Sequence, residues 1–475
     1  MRGATAGRDL TRGPLLGGIV AIAWPLMLSS LLQTLYNLAD AFWLGMLGKT
    51  ALVAPTVTMN LVFLFMALGM GLGMGGTTLV SQYRGAERPE DMRRAAGQTL
   101  LVLGVVSVFF AVVVVALSRP LLQLMQTPAD AMDQTLGYFR WIMGGMPFMF
   151  GFFVYQSIYT GLGDTFRPLQ VNFVTIVVNV LLDPILIFGL GPFPEMGVSG
   201  AAVATVASRA MASFLGFSRL RSGHGGLRIR RRDLVPHMPT IRKIARIGVP
   251  ISLGQSGTAL GFTVLISIVN TFGSAVVAAF GIGNRIVGMA VMPGHGLGQA
   301  TGTAVGQNLG AGLRDRAERS VRMSLLIIGA LFLPVTAAMF FYGADISRIF
   351  IDNPEVVAYG QNLFRIISPS VFVFGFFMVF LGAFQGSGHT LPVMVLNMSR
   401  LWVLRIPAAL LLARVLTMGP TGIWVAMFLS NTVTSIAAFF WFSRGTWKRA
   451  VIDRRKPGGA WSKRMPGPGR GLTRR

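Results

Sequence analysis

The sequence predicts an all-α polytopic membrane protein with twelve transmembrane helices in two parallel six-helix repeats. The chain has 475 residues, 53% of them hydrophobic and 12% charged, with a mean hydropathy of +0.62. Its apolar residues fall into runs about as long as a bilayer span. The sequence also contains an internal repeat at a separation of 225 residues. Its basic residues are concentrated in every second loop, as expected when successive spans cross the membrane in opposite directions.

The first apolar run begins near Leu15 and carries polar residues instead of a small-residue cleavage site, so we interpret it as a retained span and not as a signal peptide. The other runs follow at similar lengths. The predicted spans are residues 15–44, 51–80, 96–117, 135–158, 168–190, 197–218, 244–270, 276–305, 321–342, 360–383, 391–413 and 421–443.

The basic residues predict the orientation. Of 42 Lys and Arg, 32 lie on the side of the termini, against four on the other side (Lys49, Arg119, Arg348 and Arg414). The positive-inside rule then places both termini in the cytoplasm and the protein in the plasma (inner) membrane. The net charge of +25 is also typical of nucleic-acid binding, but these charges follow the topology, so we expect a lipid bilayer and no nucleic acid as partner.

An internal repeat divides the chain into two halves. VSQYRGA at 80–86 aligns with VGQNLGA at 305–311, and Gly161 and Gly163 align with Gly386 and Gly388. Because six spans per half is an even number, both halves enter the membrane in the same direction, which is a transporter architecture. The predicted regions are a cytoplasmic N-terminus (1–14), an N-terminal lobe (15–218), a basic cytoplasmic linker (219–243), a C-terminal lobe (244–443) and a basic, disordered cytoplasmic tail (444–475).

A polar stripe crosses the first span. Gln33, Asn37 and Asp40 lie at helical spacing, with Tyr36 beside them. A charged side chain at that depth costs about 2.5 to 3.5 kcal/mol on insertion scales, so it is rarely present without a function. Such a stripe must face protein or water and not lipid.

A second stripe of the same kind runs along the fifth span: Asn172, Thr175, Asn179 and Asp183. Asp40 and Asp183 are the only acids inside the predicted spans, and we expect the two stripes to face each other. Two carboxyl groups buried together can take up and release a proton. The alternative is a structural pair, neutralised by hydrogen bonds from neighbouring polar residues.

Two prolines are hinge candidates. Pro25 removes one backbone hydrogen bond from the first span. Pro184 restricts the backbone of Asp183, so we expect the fifth span to break at that acid, with free carbonyls that could hold a cation.

Several chemistries are excluded. The chain has no cysteine, which removes disulfides, thiol catalysis and Cys-ligated metals. No Walker A sequence occurs, and G-x-G-x-x-G at Gly71, Gly73 and Gly76 lies inside a span with no preceding strand, so it indicates close helix packing and not dinucleotide binding. We therefore expect no enzyme, no metal site and no cofactor, with transport driven by an ion gradient.

Other span residues have less certain roles. Aromatic and polar residues of the fourth span are candidates to line a substrate path: Phe153, Tyr155, Gln156 and Tyr159. Arg140 and Arg209 are expected to extend to a membrane interface. For Arg285, Arg400, Arg405 and His295 both a place on the path and a packing role stay open.

These features resemble the multidrug and toxic compound extrusion (MATE) transporters over roughly residues 10 to 445. The similar segments are Pro25 with LYNLADAFWLGMLG, the Gln82 loop with its repeat at Gln307, GLGDT at 161–165, NVLLDP at 179–184 and GIGNRI at 281–286.

The resemblance implies a MATE-like fold and export of organic, often cationic compounds in exchange for protons or sodium by alternating access. In the DinF type the coupling residues match Asp40, Asn179 and Asp183, with Thr205 as a fourth. The NorM type instead places carboxylates in its seventh and tenth spans. Here residues 248–262 and 371–386 contain no Asp or Glu, which favours the DinF type.

We therefore expect a monomeric multidrug antiporter that exports small organic compounds and is coupled to protons. The substrate-lining candidates include Gln33, Tyr36 and Asn172, and the coupling set includes Asn37. Sodium bound by Asp40, Asn179, Asp183 and Thr205 is the alternative coupling ion. A lipid-linked saccharide flippase, with an Arg-rich cavity, is the rival transporter; a channel or receptor would need a hydrophilic pore or a larger domain outside the membrane.

Overall fold

The computed structural model describes residues 7–223 and 225–452 and confirms the all-α class, since these residues form no strand. The helices are α1 (Leu15–Met46), α2 (Val53–Gly85), α3 (Pro89–Ala116), α4 (Ser118–Leu124), α5 (Met132–Gly144), α6 (Met146–Gly161), α7 (Phe166–Phe188), α8 (Val198–Ser222), α9 (Met238–Asn270), α10 (Ser274–Gly310), α11 (Arg314–Phe341), α12 (Gly343–Phe350), α13 (Pro354–Ser387), α14 (Leu391–Met398), α15 (Ile406–Leu410) and α16 (Pro420–Ser443).

Eleven helical spans in the described chain are long and apolar enough to cross a membrane. The twelfth crossing is the predicted fourth span, which is broken into α5 and α6 around Gly145. A Cβ on Gly145 would lie 2.4 Å from the Val206 side chain, so this break packs closely on α8. Twelve crossings are therefore present, one of them in two pieces.

The eleventh span also departs from a regular α-helix. Between α14 and α15 lies the π-helical segment Ser399–Arg405, and a second one, Leu411–Val415, follows α15. The spacing of apolar residues does not predict these segments, because a short π-helical segment has no simple sequence pattern.

Helices α1 to α8 form the N-terminal lobe and α9 to α16 the C-terminal lobe. They meet where α2 packs on α9 and where α10 packs on α1 and α2. The glycines of α2 allow this approach: a Cβ on Gly71 would lie 2.4 Å from the Ser252 backbone nitrogen, and one on Gly75 would lie 2.6 Å from the Ile244 carbonyl oxygen. Gly73 and Gly76 likewise contact Phe153 and Thr99, as close helix packing requires.

A buried glutamine from each lobe holds the two lobes together at the end of the bundle where Leu10 and Val451 lie. Gln82 Nε2 donates to the carbonyls of Gly386 (3.0 Å) and Ser387 (3.1 Å), and its Oε1 accepts from the backbone of Val451 at 3.0 Å. The N-terminal lobe thereby holds both α13 and the segment that follows α16.

The repeat counterpart of Gln82 makes the reciprocal contact. Gln307 Nε2 donates to the Gly161 carbonyl (3.2 Å), and its Oε1 accepts from the backbone of Leu10 (2.9 Å). Thr303, one turn earlier, donates to the Thr160 carbonyl at 3.2 Å. We call the Gln82 and Gln307 contacts the paired latch.

The described ends of the chain lie on one side of the bundle, since both reach the paired latch. The linker lies there too, because Gln98 Nε2 donates to the carbonyls of Asp233 and Val235. Helix extends into both ends of the predicted linker (219–243), because α8 ends at Ser222 and α9 begins at Met238. The tail was predicted to be disordered over residues 444–475, and residues 453–475 of it lie outside the described chain.

Candidate substrate and ion-coupling site

The first polar stripe lies on one face of α1 toward the interior of the N-terminal lobe. Gln33 Nε2 donates to Asn37 Oδ1 at 3.2 Å. Tyr36 and Asp40 are buried, and the Tyr36 hydroxyl lies 2.8 Å from Thr205 Oγ1 on α8. Gln33 is half-buried and Asn37 is exposed, so protein encloses only the Tyr36 and Asp40 part of this face.

The second stripe lies along α7, and all four of its residues are buried: Asn172, Thr175, Asn179 and Asp183. The expected break at Asp183 is wrong, because α7 continues through Pro184 to Phe188. Proline removes a single backbone hydrogen bond, and the packing of α7 on α8 and α1 keeps the helix intact around that loss.

Five buried polar atoms of this region have no hydrogen-bond partner among the described residues: Asp40 Oδ1, both carboxyl oxygens of Asp183, and the side-chain oxygen and nitrogen of Asn179. The two acids are close enough to interact electrostatically. A void of about 10 Å³, the size of one water molecule, lies between Tyr36, Asn179 and Thr205. Buried polar atoms normally have a hydrogen-bond partner, so a set of unpartnered ones indicates a place for an ion, a proton or water.

Tyr138 on α5 belongs to this group of residues and was not identified from the sequence. Its ring is 5% exposed, and its hydroxyl lies within electrostatic range of Asp40, Asp183 and Tyr36. No spacing relates Tyr138 to either stripe, since it comes from the broken fourth span.

Arg209 on α8 connects the two stripes, and the expectation that it extends to a membrane interface is wrong. Its guanidinium donates to Gln33 Oε1 at 2.7 Å and to Asn172 Oδ1 at 3.2 Å. It also lies over the rings of Tyr36 (5.8 Å) and Phe152 (5.9 Å). These partners hold the cation inside the lobe.

A cavity of about 620 Å³ lies beside the stripes and extends to the contact between the lobes. It is lined by carboxylate, amide, aromatic and Met side chains of the N-terminal lobe and by part of α10 and α13. Its polar and aromatic lining includes Gln33, Tyr36, Asn37, Asp40, Phe63, Tyr138, Phe152, Phe153, Gln156, Asn172, Thr205, Arg209, Gln299 and Gln385, and its methionines are Met59, Met66, Met70, Met74, Met149 and Met292.

Tyr155 and Tyr159 do not line this cavity. Both are fully buried on the other face of α6, where their rings pack together at 4.6 Å. Tyr155 accepts a hydrogen bond from Arg219, and Arg167 lies over the Tyr159 ring. Phe153 and Gln156, which are three residues apart on α6, do line the cavity.

The remaining basic candidates lie in the C-terminal lobe and outside the lining of this cavity. Arg285 and His295 on α10 are exposed. Arg400 and Arg405 lie together against α16. None of the three arginines lines the cavity beside the two stripes.

The Pro25 region contains a contact that both lobes share. Thr165 Oγ1 donates to the Ile22 carbonyl, three residues before Pro25, at 2.9 Å. In the C-terminal lobe Thr390 Oγ1 donates to the Ile247 carbonyl at 2.7 Å, three residues before Pro250. A side-chain hydroxyl thus supports the turn that each proline loosens.

The candidate site offers oxygen ligands for a small cation, which come from Asp40, Asn179 and Asp183. No group of three or more His, Cys, Asp or Glu that could hold a metal ion exists within the described residues.

Known proteins are similar to this chain over nearly its whole length. The family model MatE matches residues 25–185 and again 250–411, so its two matches begin 225 residues apart, like the internal repeat. The "Probable multidrug resistance protein YoeA" of Bacillus subtilis is 28% identical over 90% of this chain and 94% of its own length. The "Probable multidrug resistance protein NorM" of Thermotoga maritima is 25% identical over 92% of this chain and 94% of its own.

Solved structures share the fold. A MOP superfamily transporter from Pyrococcus furiosus, described as having a binding pocket of reversed polarity, matches with a TM-score of 0.86 and 26% identity, over 93% of this chain and 98% of that one. An outward-facing multidrug resistance MATE family transporter matches with the same values. From the two family matches, the twelve crossings and the paired lobes, the chain belongs to the MatE family of membrane transporters, and it is not an enzyme.

Proposed function

We propose that the chain exports small amphipathic organic cations in exchange for protons that bind at Asp40 and Asp183. The observation that supports this most strongly is the set of unpartnered carboxyl oxygens on these two residues, beside a cavity of about 620 Å³. A buried carboxyl group without partners is stable when it is protonated or when a cation lies against it. Proton and cationic substrate therefore compete for the same acids.

The cavity chemistry fits compounds of this class. Six methionines and several aromatic rings give a soft surface that adapts to flat hydrophobic molecules. Tyr36 and Phe152 already lie against one cation, Arg209, and an organic cation can make the same kind of contact. Two similar proteins carry the name multidrug resistance protein.

The paired latch is the contact that would open and close in alternating access. The lobes are held together at the end where the described chain begins and ends, and Gln82 and Gln307 are fully buried there. We assign this end to the cytoplasm because the basic residues concentrate there. The lobes are then closed toward the cytoplasm, and opening of the latch admits substrate from that side.

Sodium is the second candidate for the coupling ion. The unpartnered side-chain oxygens of Asp40, Asn179 and Asp183 are the kind of ligand that sodium takes, and Thr205 lies near them. We favour the proton, and with it the DinF type, because the C-terminal lobe spans contain no acid and two carboxyl groups suffice for proton exchange. The flippase alternative receives no support, because Arg209 is the one arginine in the cavity lining.

Efflux from proteoliposomes, with proton and sodium gradients imposed separately, tests the proposal. We expect a proton gradient alone to drive export of a fluorescent organic cation. Asp40→Asn and Asp183→Asn each abolish uphill export, since an amide cannot exchange a proton, while Asp130→Asn, at an exposed loop residue, does not.

Export that requires sodium and ignores the proton gradient would overturn proton coupling and favour the sodium alternative. Export of the cation by Asp183→Asn at the wild-type rate would remove that carboxyl group from the mechanism.

A further inference from the structure

The eleventh span carries two arginines on one face because of its unusual winding. Arg400 and Arg405 both lie in the π-helical segment Ser399–Arg405. A π-helix closes i→i+5 hydrogen bonds, so residues five apart lie nearly above one another, whereas an α-helix with 3.6 residues per turn would separate their directions. The π-helical segment thereby directs both guanidinium groups to α16.

A shared amide holds the two groups. Arg405 Nε donates to Ser430 Oγ at 2.8 Å, and its Nη2 donates to Asn431 Oδ1. Arg400 Nη1 lies 3.5 Å from the same Asn431 oxygen, and the Asn431 amide nitrogen donates to Ser370. One neutral oxygen therefore serves two cations.

No described carboxylate balances the positive charge of this pair. Arg405 is 4% exposed, Arg400 Nε is buried without a partner, and no ion pair of the described chain includes either residue. Buried like charges without a counter-charge are strongly unfavourable. The described carboxylates of this lobe lie near helix ends, away from the pair: Asp315, Glu318, Asp345, Asp352 and Glu355.

The pair occupies the repeat equivalent of the N-terminal coupling region. A shift of 225 residues places Arg400 over Thr175 and Ser430 over Thr205, and both threonines line the small void beside Asn179. The N-terminal lobe thus has carboxylates in this region, and the C-terminal lobe has guanidinium groups.

The pair is not sealed off. Arg400 is only partly buried and lies over the Phe374 ring at 4.7 Å and the Phe377 ring at 5.9 Å. The exposed His295 of α10 lies within electrostatic range of Arg400. A small anion that approaches between α10 and the eleventh span would meet Arg400 first, with aromatic rings on its flank.

We propose that Arg400 and Arg405 form an anion site in the C-terminal lobe that binds one monovalent anion, either chloride or the carboxylate of a small organic compound. Arg400 contacts the anion through the Nε side of its guanidinium, where the Nε–H has no partner among the described residues, and Asn431 positions both guanidinium groups. The planar guanidinium fits a carboxylate with two parallel hydrogen bonds. This site does not depend on the coupling role of Asp40 and Asp183.

Calorimetric titration of the purified protein in detergent tests the site with sodium benzoate, benzamide and sodium chloride as separate titrants. We expect benzoate or chloride to bind and the uncharged benzamide not to bind. Arg400→Gln weakens anion binding about tenfold or more, the loss expected for a charge-assisted hydrogen bond. Benzoate binding that chloride cannot displace assigns the site to organic carboxylates, and chloride binding alone assigns it to the free ion.

Arg285→Gln is the matched control, because Arg285 is an exposed arginine of the same lobe. We expect this variant to bind anions as the wild type does. Arg400→Lys keeps the charge but loses the planar fork, so it weakens benzoate more than chloride and serves if Arg400→Gln does not fold. The proposal is overturned if neither anion binds, if benzamide binds as well as benzoate, or if binding survives unchanged in both Arg400 variants.

Discussion

Asp40 and Asp183 differ from the other described carboxylates in that one oxygen of Asp40 and both oxygens of Asp183 are buried and without a partner among the described residues. The other described acids lie near helix ends or between helices, and several form ion pairs, such as Glu318 with Lys448 at 2.7 Å. Both residues could be singled out from the sequence, because an acid inside an apolar run is rare. Tyr138 and Arg209 could not, since aromatic and basic residues occur at many span positions and only tertiary packing brings these two to the site.

The bond between the Tyr36 hydroxyl and Thr205 is expected to link α1 to α8 within the coupling region. Tyr36→Phe and Thr205→Val each remove the same 2.8 Å hydrogen bond, so their effects on thermal stability should not add. We expect a coupling free energy of about 0.5 to 1.5 kcal/mol in a double-mutant cycle. Additive effects of the two substitutions would mean that this bond contributes nothing in the membrane.

At the scale of the helices, much of the fold could be predicted and its irregularities could not. Twelve apolar runs identify twelve crossings because the bilayer sets their length. The break around Gly145 and the π-helical segment Ser399–Arg405 follow from packing between helices, which a linear pattern does not record. Pro184 led to a wrong prediction because neighbouring helices tolerate one missing hydrogen bond.

Pro25 is expected to act as a hinge in α1. It lies roughly 22 Å along the helix from Asp40, at 1.5 Å per residue. Pro25→Ala restores a backbone hydrogen bond and stiffens the turn, so it should lower the transport rate more than substrate affinity. The matched control is Pro250→Ala, which alters the equivalent turn beside Thr390 in the lobe without a coupling acid. Equal transport by wild type and Pro25→Ala would exclude the hinge.

The paired latch is expected to set how often the lobes separate at the end near the termini. Gln82→Ala removes three hydrogen bonds, and Gln307→Ala removes two, one of which is the contact with Leu10. A single cysteine at Thr303, which is 1% exposed between the lobes, should then react faster with a thiol reagent. The control is Gln126→Ala, at an exposed loop residue far from the latch; unchanged labelling in both latch variants would show that other contacts hold the lobes closed.

At the scale of the whole molecule, the distribution of charge assigns the orientation. The linker and the described chain ends share one face of the bundle, and 32 of the 42 basic residues were assigned to that side. Single cysteines are informative because the chain has none. We expect an impermeant reagent to label Asp130→Cys but not Arg228→Cys in intact cells. Labelling of Arg228→Cys alone would show that the topology is the reverse of the predicted one, and that the lobes are closed toward the outside.

The two lobes share one architecture but differ in the charge that they bury. The family matches and the repeated Thr–carbonyl contacts beside Pro25 and Pro250 show the common plan. Acids occur within the spans of the N-terminal lobe alone. Proton exchange can therefore be confined to one lobe while both lobes move.

The most direct test of the account is whether binding of an organic cation releases protons from the purified protein. In weakly buffered detergent solution near neutral pH, addition of tetraphenylphosphonium should acidify the medium in proportion to the cation bound. Asp40→Asn and Asp183→Asn should each reduce that release, whereas Asp130→Asn should leave it unchanged. Saturating binding of the cation without any proton release, displaced instead by sodium, would contradict the competition of proton and substrate for Asp40 and Asp183.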